Sequence, residues 1–586
     1  MKNQEKIQWV QAKMKDFDIA AYIVPTADYH QSEYLGEYFK TRAFLSGFTG
    51  SAGTLVVLSE KAYLWTDGRY YIQAEKQLEG SGIQLMKQGS PGVPDYIEFL
   101  QERLSEKANI GMDMKVFVTE DILKLQNRFL CHDVGDLTKE IWKDRASLAQ
   151  DKIFIHEEKY HGEASIHKIE KIREDLLQQG LDYQLIATLD DIAWIFNLRG
   201  NDIEDNPVFL SFALISQDKV ILYCDKEKMS EEIEHYLEEM GATWKEYFSI
   251  FEDLSKLKGN IGMEFATTSY ALYAAAKDGS AIVVNHQPKS SFLKTIKTEV
   301  ELENTKKIHI LDGVAVTKFM YWLKHNYSSG EITEYSAEQY LNHLRAGIEH
   351  FQELSFHTIA GFGANAAMMH YQASQEKPVV LREGSLFLVD SGGQYLEGTT
   401  DITRTFALGE VPEEQKKHFT LTLKGMIDLS KAKFMHGATG TNLDILARQH
   451  LWNIGIDYKC GTGHGVGHFL GVHDGLHGIR FQYNPQRLEE NMVVTNEPGV
   501  YIAGSHGIRI ENELFVKAYL ETEHGKFLEF ETLTFVPIDL DAILPELLSP
   551  EEKEWLNHYH KEVFTKISPF LKEEEKEWLK IYTRSI

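Results

Sequence analysis

SLFLVDSGGQYLEGTTDITRTF, residues 385–406, is two short strands around a glycine-rich turn. SLFLVD is an apolar run that ends in a carboxylate, Asp390. Gly392, Gly393 and Gly398 supply the turn region, and TTDITRTF then alternates. On that second strand Asp401, Thr403 and Thr405 share one face, while Ile402 and Phe406 share the other. A hairpin of this kind sets Asp390 and Asp401 on neighbouring strands and leaves the register open.

A second stretch repeats the plan. NMVVTNEPGVYI (491–502) places Glu497 at the end of an apolar strand, just before Pro498. After a turn between Gly504 and Gly507, GIRIENELFV (507–516) alternates again. Ile508, Ile510 and Leu514 fall on one face, and Arg509, Glu511 and Glu513 on the other. Two hairpins, each giving two acids, imply two related halves that face one site.

Asp and Glu are rarely buried without a partner. Like charges at close range also raise one another's pKa, so four buried acids need counter-charge. His464, in CGTGHGVGHFLGVHDG (460–475), adds an imidazole, a common metal ligand. Its i, i+4 spacing to His468 imitates a zincin helix, yet no H-E-x-x-H occurs. Gly461, Gly463, Gly465 and Gly467 oppose a helix there. The segment reads as a strand or turn in which backbone approaches the site closely. His468 reads as an ordinary packed residue. Four carboxylates and one imidazole suit two hard-to-borderline divalent ions, hence a two-metal hydrolase.

Outward from these segments, the length of 586 residues implies several domains. Apolar residues at Ile308, Leu311, Ala315, Phe319 and Trp322 predict an amphipathic helix over 298–326, opening a third domain at 298–586. Helices then alternate with strand pairs to about 538, and a charged helical tail fills 549–586. That tail either packs on a partner or on its own domain, or forms a solvated pair of helices. The first segment, 1–150, has a helix near 4–15 and strands at AAYIVPT, FLSGFTGSAGTLVVLS and AYLWTDGRYY. The middle segment, 151–297, loosely repeats it through LDYQLIATLDDIAWIFNLRG and VFLSFALISQDKVILYCD. Strands alternating with helices make both α/β domains.

The net charge of −27 leaves no basic excess to neutralise phosphates, which argues against a nucleic-acid partner. The opening MKNQEKIQWVQAKMKDF lacks the apolar core of a secretory signal. The uncharged run at 44–59 is too short to span a membrane. Cys131, Cys224 and Cys460 form no C-x-x-C pair, and a reducing cytoplasmic location is the expectation.

The motifs together resemble the three-domain Xaa-Pro aminopeptidases (aminopeptidase P) of the pita-bread metallopeptidase family. LVDSGGQYLEGTTDITRTF, GTGHGVGHFLGVHDG, VTNEPGVYI and GIRIENE match that family's ligand motifs in order. YIVPTADYHQSEY, RAFLSGFTGSAGT and WTDGRYYIQA are similar to its creatinase-type N-terminal domain. TLDDIAWIFNLRGNDIEDNPVF is similar to the middle domain of the long subfamily. The resemblance implies two creatinase-type α/β domains ahead of a pita-bread catalytic domain. It implies that Asp390 binds one metal, His464 and Glu497 the other, and that Asp401 and Glu511 bridge them. The family usually works with Mn²⁺, while related enzymes accept Co²⁺ or Zn²⁺. A hydroxide between the two metals is the implied nucleophile, with Glu497 passing protons. His370, in GANAAMMHY, corresponds to a histidine near the scissile peptide, and His473 to one that meets the oxyanion. Arg509 corresponds to an arginine that orients the carboxylates. Arg69 of the N-terminal domain is carried as a substrate-side residue. One position departs: many relatives have histidine in the prolyl pocket where this chain has Cys460.

The implied reaction releases the N-terminal residue of a peptide with proline second. Proline makes a tertiary amide with fixed φ, which a pocket can read. An N-terminal domain contributed across a homodimer would limit substrate length. The rival readings are a prolidase restricted to Xaa-Pro dipeptides, and a non-catalytic module that reuses the fold. The three-domain length opposes the first, and the complete ligand set opposes the second.

Overall fold

The computed structural model describes residues 1–586, which divide into two compact units. One holds residues 1–156 and 163–291, the other 157–162 and 292–586.

The first unit carries two six-stranded mixed sheets. In spatial order the first runs Ile83–Lys87, Ala62–Thr66, Thr54–Leu58, Ala21–Pro25, Asn109–Met112, Leu130–Asp133. The second runs Thr243–Glu246, Val220–Cys224, Ser211–Ser216, Tyr183–Ile186, Gly259–Met263, Ala281–Asn285. Numbered along the chain, both sheets read 4-3-2-1-5-6. The 1–2 and 2–3 pairs are antiparallel and the others parallel in each. The loose sequence likeness of the two segments is thus a shared topology. The inner strands Ala21–Pro25 and Ser211–Ser216 are buried on both faces, as strands covered by helices on each side must be. Buried His30 ties the two sheets' surroundings together, with Nδ1 2.8 Å from the Ala187 carbonyl and Nε2 2.6 Å from the Tyr247 hydroxyl.

The second unit is organised around the helix Glu299–Asn326. Thr298 caps it: its hydroxyl accepts from Glu301 N–H at 3.0 Å, and Glu301 accepts in return from Thr298 N–H at 2.8 Å. The spacing of apolar residues predicts one buried stripe, but burial goes further round. Asp312, Gly313, Val316 and Met320 are buried as well as Ile308, Ala315 and Phe319. The reason is polar satisfaction: Asp312 accepts from Arg345 Nε and Thr400 Oγ1, both at 2.6 Å.

Three strands, Ile359–Phe362, Ser385–Ser391 and Ile402–Leu408, form one sheet. Four more, Lys433–Met435, Gly525–Thr532, Asn512–Thr522 and Val493–Asn496, form another. Helices Glu413–Ser430 and Gly440–Trp452 pack beside them. The tail forms helices Pro550–Ile567 and Glu573–Tyr582, and it is not solvated. Leu556, Tyr559, Val563, Ile567 and Leu579 are buried in the unit's main core. No helix of the protein is long and apolar enough to cross a membrane.

Candidate metal centre

Asp390 lies on the central strand of the three-stranded sheet, opposite Ile359 on one side and Thr403 on the other. Asp401 stands one residue before the strand Ile402–Leu408, and its N–H donates to Glu513 Oε1 at 2.7 Å.

The alternation over 507–516 predicts one continuous second hairpin, and the structure breaks it. Val493–Asn496 pairs with Asn512–Thr522, whereas Gly499–Ile502 pairs with His506–Arg509. The breaks fall at Glu497–Pro498 and Ile510–Glu511. Pro498 has no N–H to give the ladder. The Glu511 N–H leaves it to donate to the Thr403 carbonyl at 3.1 Å. The Glu497 N–H does the same toward the Thr462 carbonyl at 2.7 Å. Each acid is thus stitched to a neighbouring segment by its own backbone, which carries its carboxylate inward.

His464 reaches the same place through a two-residue strand, Gly463–His464, paired with Gly478–Ile479. A Cβ at Gly463 would fall 1.9 Å from the Thr495 carbonyl oxygen, so only glycine allows the approach. The His464 N–H donates to Thr495 Oγ1 at 3.1 Å, and its Nδ1 sits 3.0 Å from the Gly465 carbonyl. Nε2 then faces the acids, 3.4 Å from Asp401 Oδ2 and 3.5 Å from Glu497 Oε1. One donor atom each from Asp401, His464 and Glu511 lies within 4.8 Å of the others.

Burial is the largest force on the Asp401 carboxyl and pushes it well above the ordinary range, with the charges of Asp390 and Glu497 adding to it. Glu511 is raised the same way, by burial first, then by Asp401 and Glu497. Arg509 is the cation built into this group. It pairs with Asp390, donates to Thr403 Oγ1 at 3.1 Å and to Tyr501 Oη at 2.7 Å. One guanidinium does not balance these acids. Asp390 Oδ1 and Glu511 Oε1 are also buried with no hydrogen-bond partner. Positive charge and ligands for bare oxygens are both wanted at one point, and divalent cations supply both. The residues fit a metal centre.

The other candidates are placed as follows. The His473 ring lies 4.3 Å from the His464 ring, centroid to centroid and nearly perpendicular. His370 follows Met369, whose carbonyl is 3.5 Å from Arg509 Nη2. Burial, then the Glu497 charge, pushes the Cys460 thiol up to about 12. Tyr501 lies within hydrogen-bonding reach of that thiol. Arg69 belongs to the first unit, where its Nε and Nη2 both donate to Asp67 at 2.9 Å. His468 points away from the acids: Nε2 is 2.9 Å from the Tyr160 carbonyl and Nδ1 3.3 Å from Thr305 Oγ1.

Four participants were not singled out from sequence. Thr403 Oγ1 donates to Glu511 Oε2 at 2.7 Å. Tyr501 supports Arg509, and Glu513, fully buried, holds the Asp401 amide with His309 Nε2 3.3 Å from its other oxygen. Thr403 and Glu513 sit on the same alternating faces as Asp401 and Glu511, which is a signal. His309, in the middle of a long helix, carried none.

Comparison with known proteins accords with this arrangement. Residues 303–518 match the model described as metallopeptidase family M24, and residues 526–586 the C-terminal region of peptidase M24. Residues 6–147 and 144–301 each match a creatinase/prolidase N-terminal domain. A probable Xaa-Pro aminopeptidase P of Laccaria bicolor is 38% identical over 97% of this chain and 91% of its own. One from Tuber melanosporum is 40% identical over 95% of each. A solved X-prolyl aminopeptidase of Caenorhabditis elegans, described as a cytosolic enzyme with a di-nuclear active site, is 32% identical and covers 100% of both chains with a TM-score of 0.94. Two creatinase-type domains ahead of a pita-bread metallopeptidase domain are therefore the architecture, and the chain belongs to metallopeptidase family M24.

Proposed function

We propose that this chain is a metal-dependent aminopeptidase that releases the N-terminal residue from peptides with proline in second position. The observation that carries this is the convergence of Asp390, Asp401, His464, Glu497 and Glu511 with unsatisfied buried oxygens at its centre. By the family resemblance Asp390 would hold one ion, His464 and Glu497 would hold the other, and Asp401 and Glu511 would serve both. The family resemblance points to Mn²⁺, with Co²⁺ or Zn²⁺ as substitutes, since affinity alone would not select manganese at such a site. Two such ions would lower the pKa of a water and polarise the scissile carbonyl.

The chain's own groups do the rest. The substrate's free α-amino group would be held near the ions, with acidic side chains close by. Glu497, steadied by Thr495 Oγ1 at 3.3 Å from Oε1, accepts the proton from the attacking water and passes it to the leaving prolyl nitrogen. His473 donates to the carbonyl oxygen as it gains charge. His370 donates beside the scissile peptide and orients it. Cys460 and Tyr501 line the prolyl pocket. Burial keeps the Cys460 thiol protonated, so it acts as a small apolar wall rather than a nucleophile.

We read the chain as three domains, 1–150, 151–297 and 298–586, working as a homodimer in the cytoplasm, with Arg69 on the substrate side of the first domain. Support for the dimer is an apolar surface around Trp452 and Phe481, whose rings are 5.9 Å apart and exposed.

The test is metal-depleted enzyme on Arg-Pro-Pro and Arg-Ala-Ala, with Mn²⁺ restored and Asp401→Ala alongside. Arginine should be released from Arg-Pro-Pro only, in proportion to Mn²⁺, and not by the variant. Cleavage of both peptides alike would remove proline selectivity from the reading. A folded, Mn²⁺-loaded enzyme that cleaves neither would overturn it.

A further inference from the structure

Glu334 sits in the first turn of the helix Glu334–Ala346, is buried, and has no cation beside its oxygens. Everything that satisfies it comes from one segment, residues 362–371. The Phe362 N–H donates to Oε1 at 2.6 Å. Asn365 Nδ2 lies 3.1 Å from Oε1 and 3.2 Å from Oε2. The Tyr371 hydroxyl donates to Oε2 at 2.7 Å, and Asn365 Nδ2 also reaches that hydroxyl at 3.0 Å. The segment is therefore closed into a loop, with Phe362 at one end and Tyr371 at the other fastened to the same carboxylate.

Two further contacts tie this loop to the metal centre. Its first residues continue the strand Ile359–Phe362, in which Ile359 is opposite Asp390. At Gly507, two residues before Arg509, a Cβ would fall 1.8 Å from the Ala366 carbonyl oxygen, so the loop rests directly on the Arg509 strand. His370 is the residue before Tyr371 and the residue after Met369, whose carbonyl faces Arg509. An imidazole between two fixed neighbours has its backbone fixed as well.

We infer that Glu334 is a positioning residue for His370: its carboxylate clasps the 362–371 loop at both ends and so aims the imidazole at the scissile peptide. The inference rests on the peptidase reading for what His370 does, and on geometry alone for what Glu334 does. Charged acceptors bind neutral donors more strongly than neutral acceptors do, which is why an ion is used. Glutamine at 334 keeps one acceptor but turns an amide toward Asn365 Nδ2, which sets donor against donor. A misplacement of about 1 Å at a reacting group can cost on the order of a hundredfold in rate.

Glu334→Gln and Tyr371→Phe, each alone and combined with His370→Ala, test this in the full Mn²⁺-loaded chain. Backbone hydrogen exchange is read first, since it needs no substrate. Both single variants should raise exchange across 362–371 and leave the Asp401, His464 and Glu511 segments and the bound Mn²⁺ unchanged. In turnover of Arg-Pro-Pro, kcat should fall about tenfold or more with KM little altered. In the His370→Ala background the same substitutions should have no further effect, since a group acting through His370 has nothing left to aim. Unchanged exchange at 362–371 would overturn the inference whatever the substrate. So would an equal loss of kcat with and without His370. Exchange that rises as expected in a protein that cleaves neither peptide would leave the clasp standing and sink the peptidase reading instead.

Discussion

Arg509 shows how much one side chain organises here. Its planar fork meets Asp390, Thr403 and Tyr501 in three directions, and the Met369 carbonyl in a fourth. A lysine ammonium at the same place is a point donor and cannot reach all of them at once. Arg509→Lys should therefore keep the charge and lose the aim. Mn²⁺ affinity should drop between about tenfold and a hundredfold, the usual cost of losing a ligand's outer partner. Titration of metal-free variant with Mn²⁺ by calorimetry reads this directly, and an unaltered affinity would mean that Asp390 is held by the strand alone. At this scale the sequence was legible wherever alternation applied. Asp401, Glu511 and Arg509 sit where a period of two puts them, and so do Thr403 and Glu513 beside them. Glu334 was not legible. Nothing in TEYSAEQYL marks an acid whose donors lie 28 to 37 residues further along the chain.

Elements follow the same division between local and distant causes. The helix Glu299–Asn326 was readable from its apolar spacing because that is written within a few residues of one another. The interruption of the second hairpin was not, because the carbonyls that take the Glu497 and Glu511 amides belong to Thr462 and Thr403. The ribbon Gly499–Ile502 and His506–Arg509 carries a further consequence for pH. His506 is buried, with Nε2 3.0 Å from Nδ1 of His418 on the helix Glu413–Ser430, and Nδ1 2.9 Å from Ser505 Oγ. Burial, then the His418 charge, holds His506 down to about 4. An unfolded imidazole titrates near about 6.5. Between those values the unfolded chain takes the proton and the folded chain does not, so stability is complete above about 6.5 and falls as pH drops toward 4. His477 and His560 are depressed too, to about 4 and about 3, so the whole slope is shared. His506→Asn isolates one share. Unfolding free energies from denaturant titrations at pH 7.5, 6.0 and 5.0 should decline less steeply in the variant, by about 1 kcal/mol per pH unit below the imidazole's unfolded value. Parallel curves would mean that His506 stays unprotonated in both states or protonated in both.

The whole molecule puts its polar and apolar surfaces to different uses. The acidic surplus keeps it dispersed, and the tail helices close the catalytic unit by burying Tyr559 against Arg404, whose Nη2 donates to the Tyr559 hydroxyl at 2.8 Å. The tail was written in the sequence as helix, but its placement was not, because Arg404 looks like a surface residue until Tyr559, Asn512 and the Val536 carbonyl surround it. One apolar area is left outside this closure. Trp452 ends the helix Gly440–Trp452 and Ile454 follows it, while Phe481 and Tyr483 follow the strand Gly478–Ile479 that supports His464. Phe481 is 63% exposed and Tyr483 76%, which is costly for rings that have nothing to cover. A second copy of the same face would cover them, since a two-fold interface is self-complementary. Phe481→Asp places a charge where the two copies would meet and leaves the Gly478–Ile479 strand intact. The expected result is a shift from dimer to monomer in sedimentation, with Mn²⁺ stoichiometry and thermal midpoint of the catalytic unit preserved. A monomeric wild type would remove the dimer from the reading. A variant that stays dimeric would move the interface to another surface. Turnover on dipeptides and longer Xaa-Pro peptides by the monomer then separates what the dimer adds: if only long substrates gain or lose, the partner limits length, and if all fall together, the face supports the His464 strand behind it.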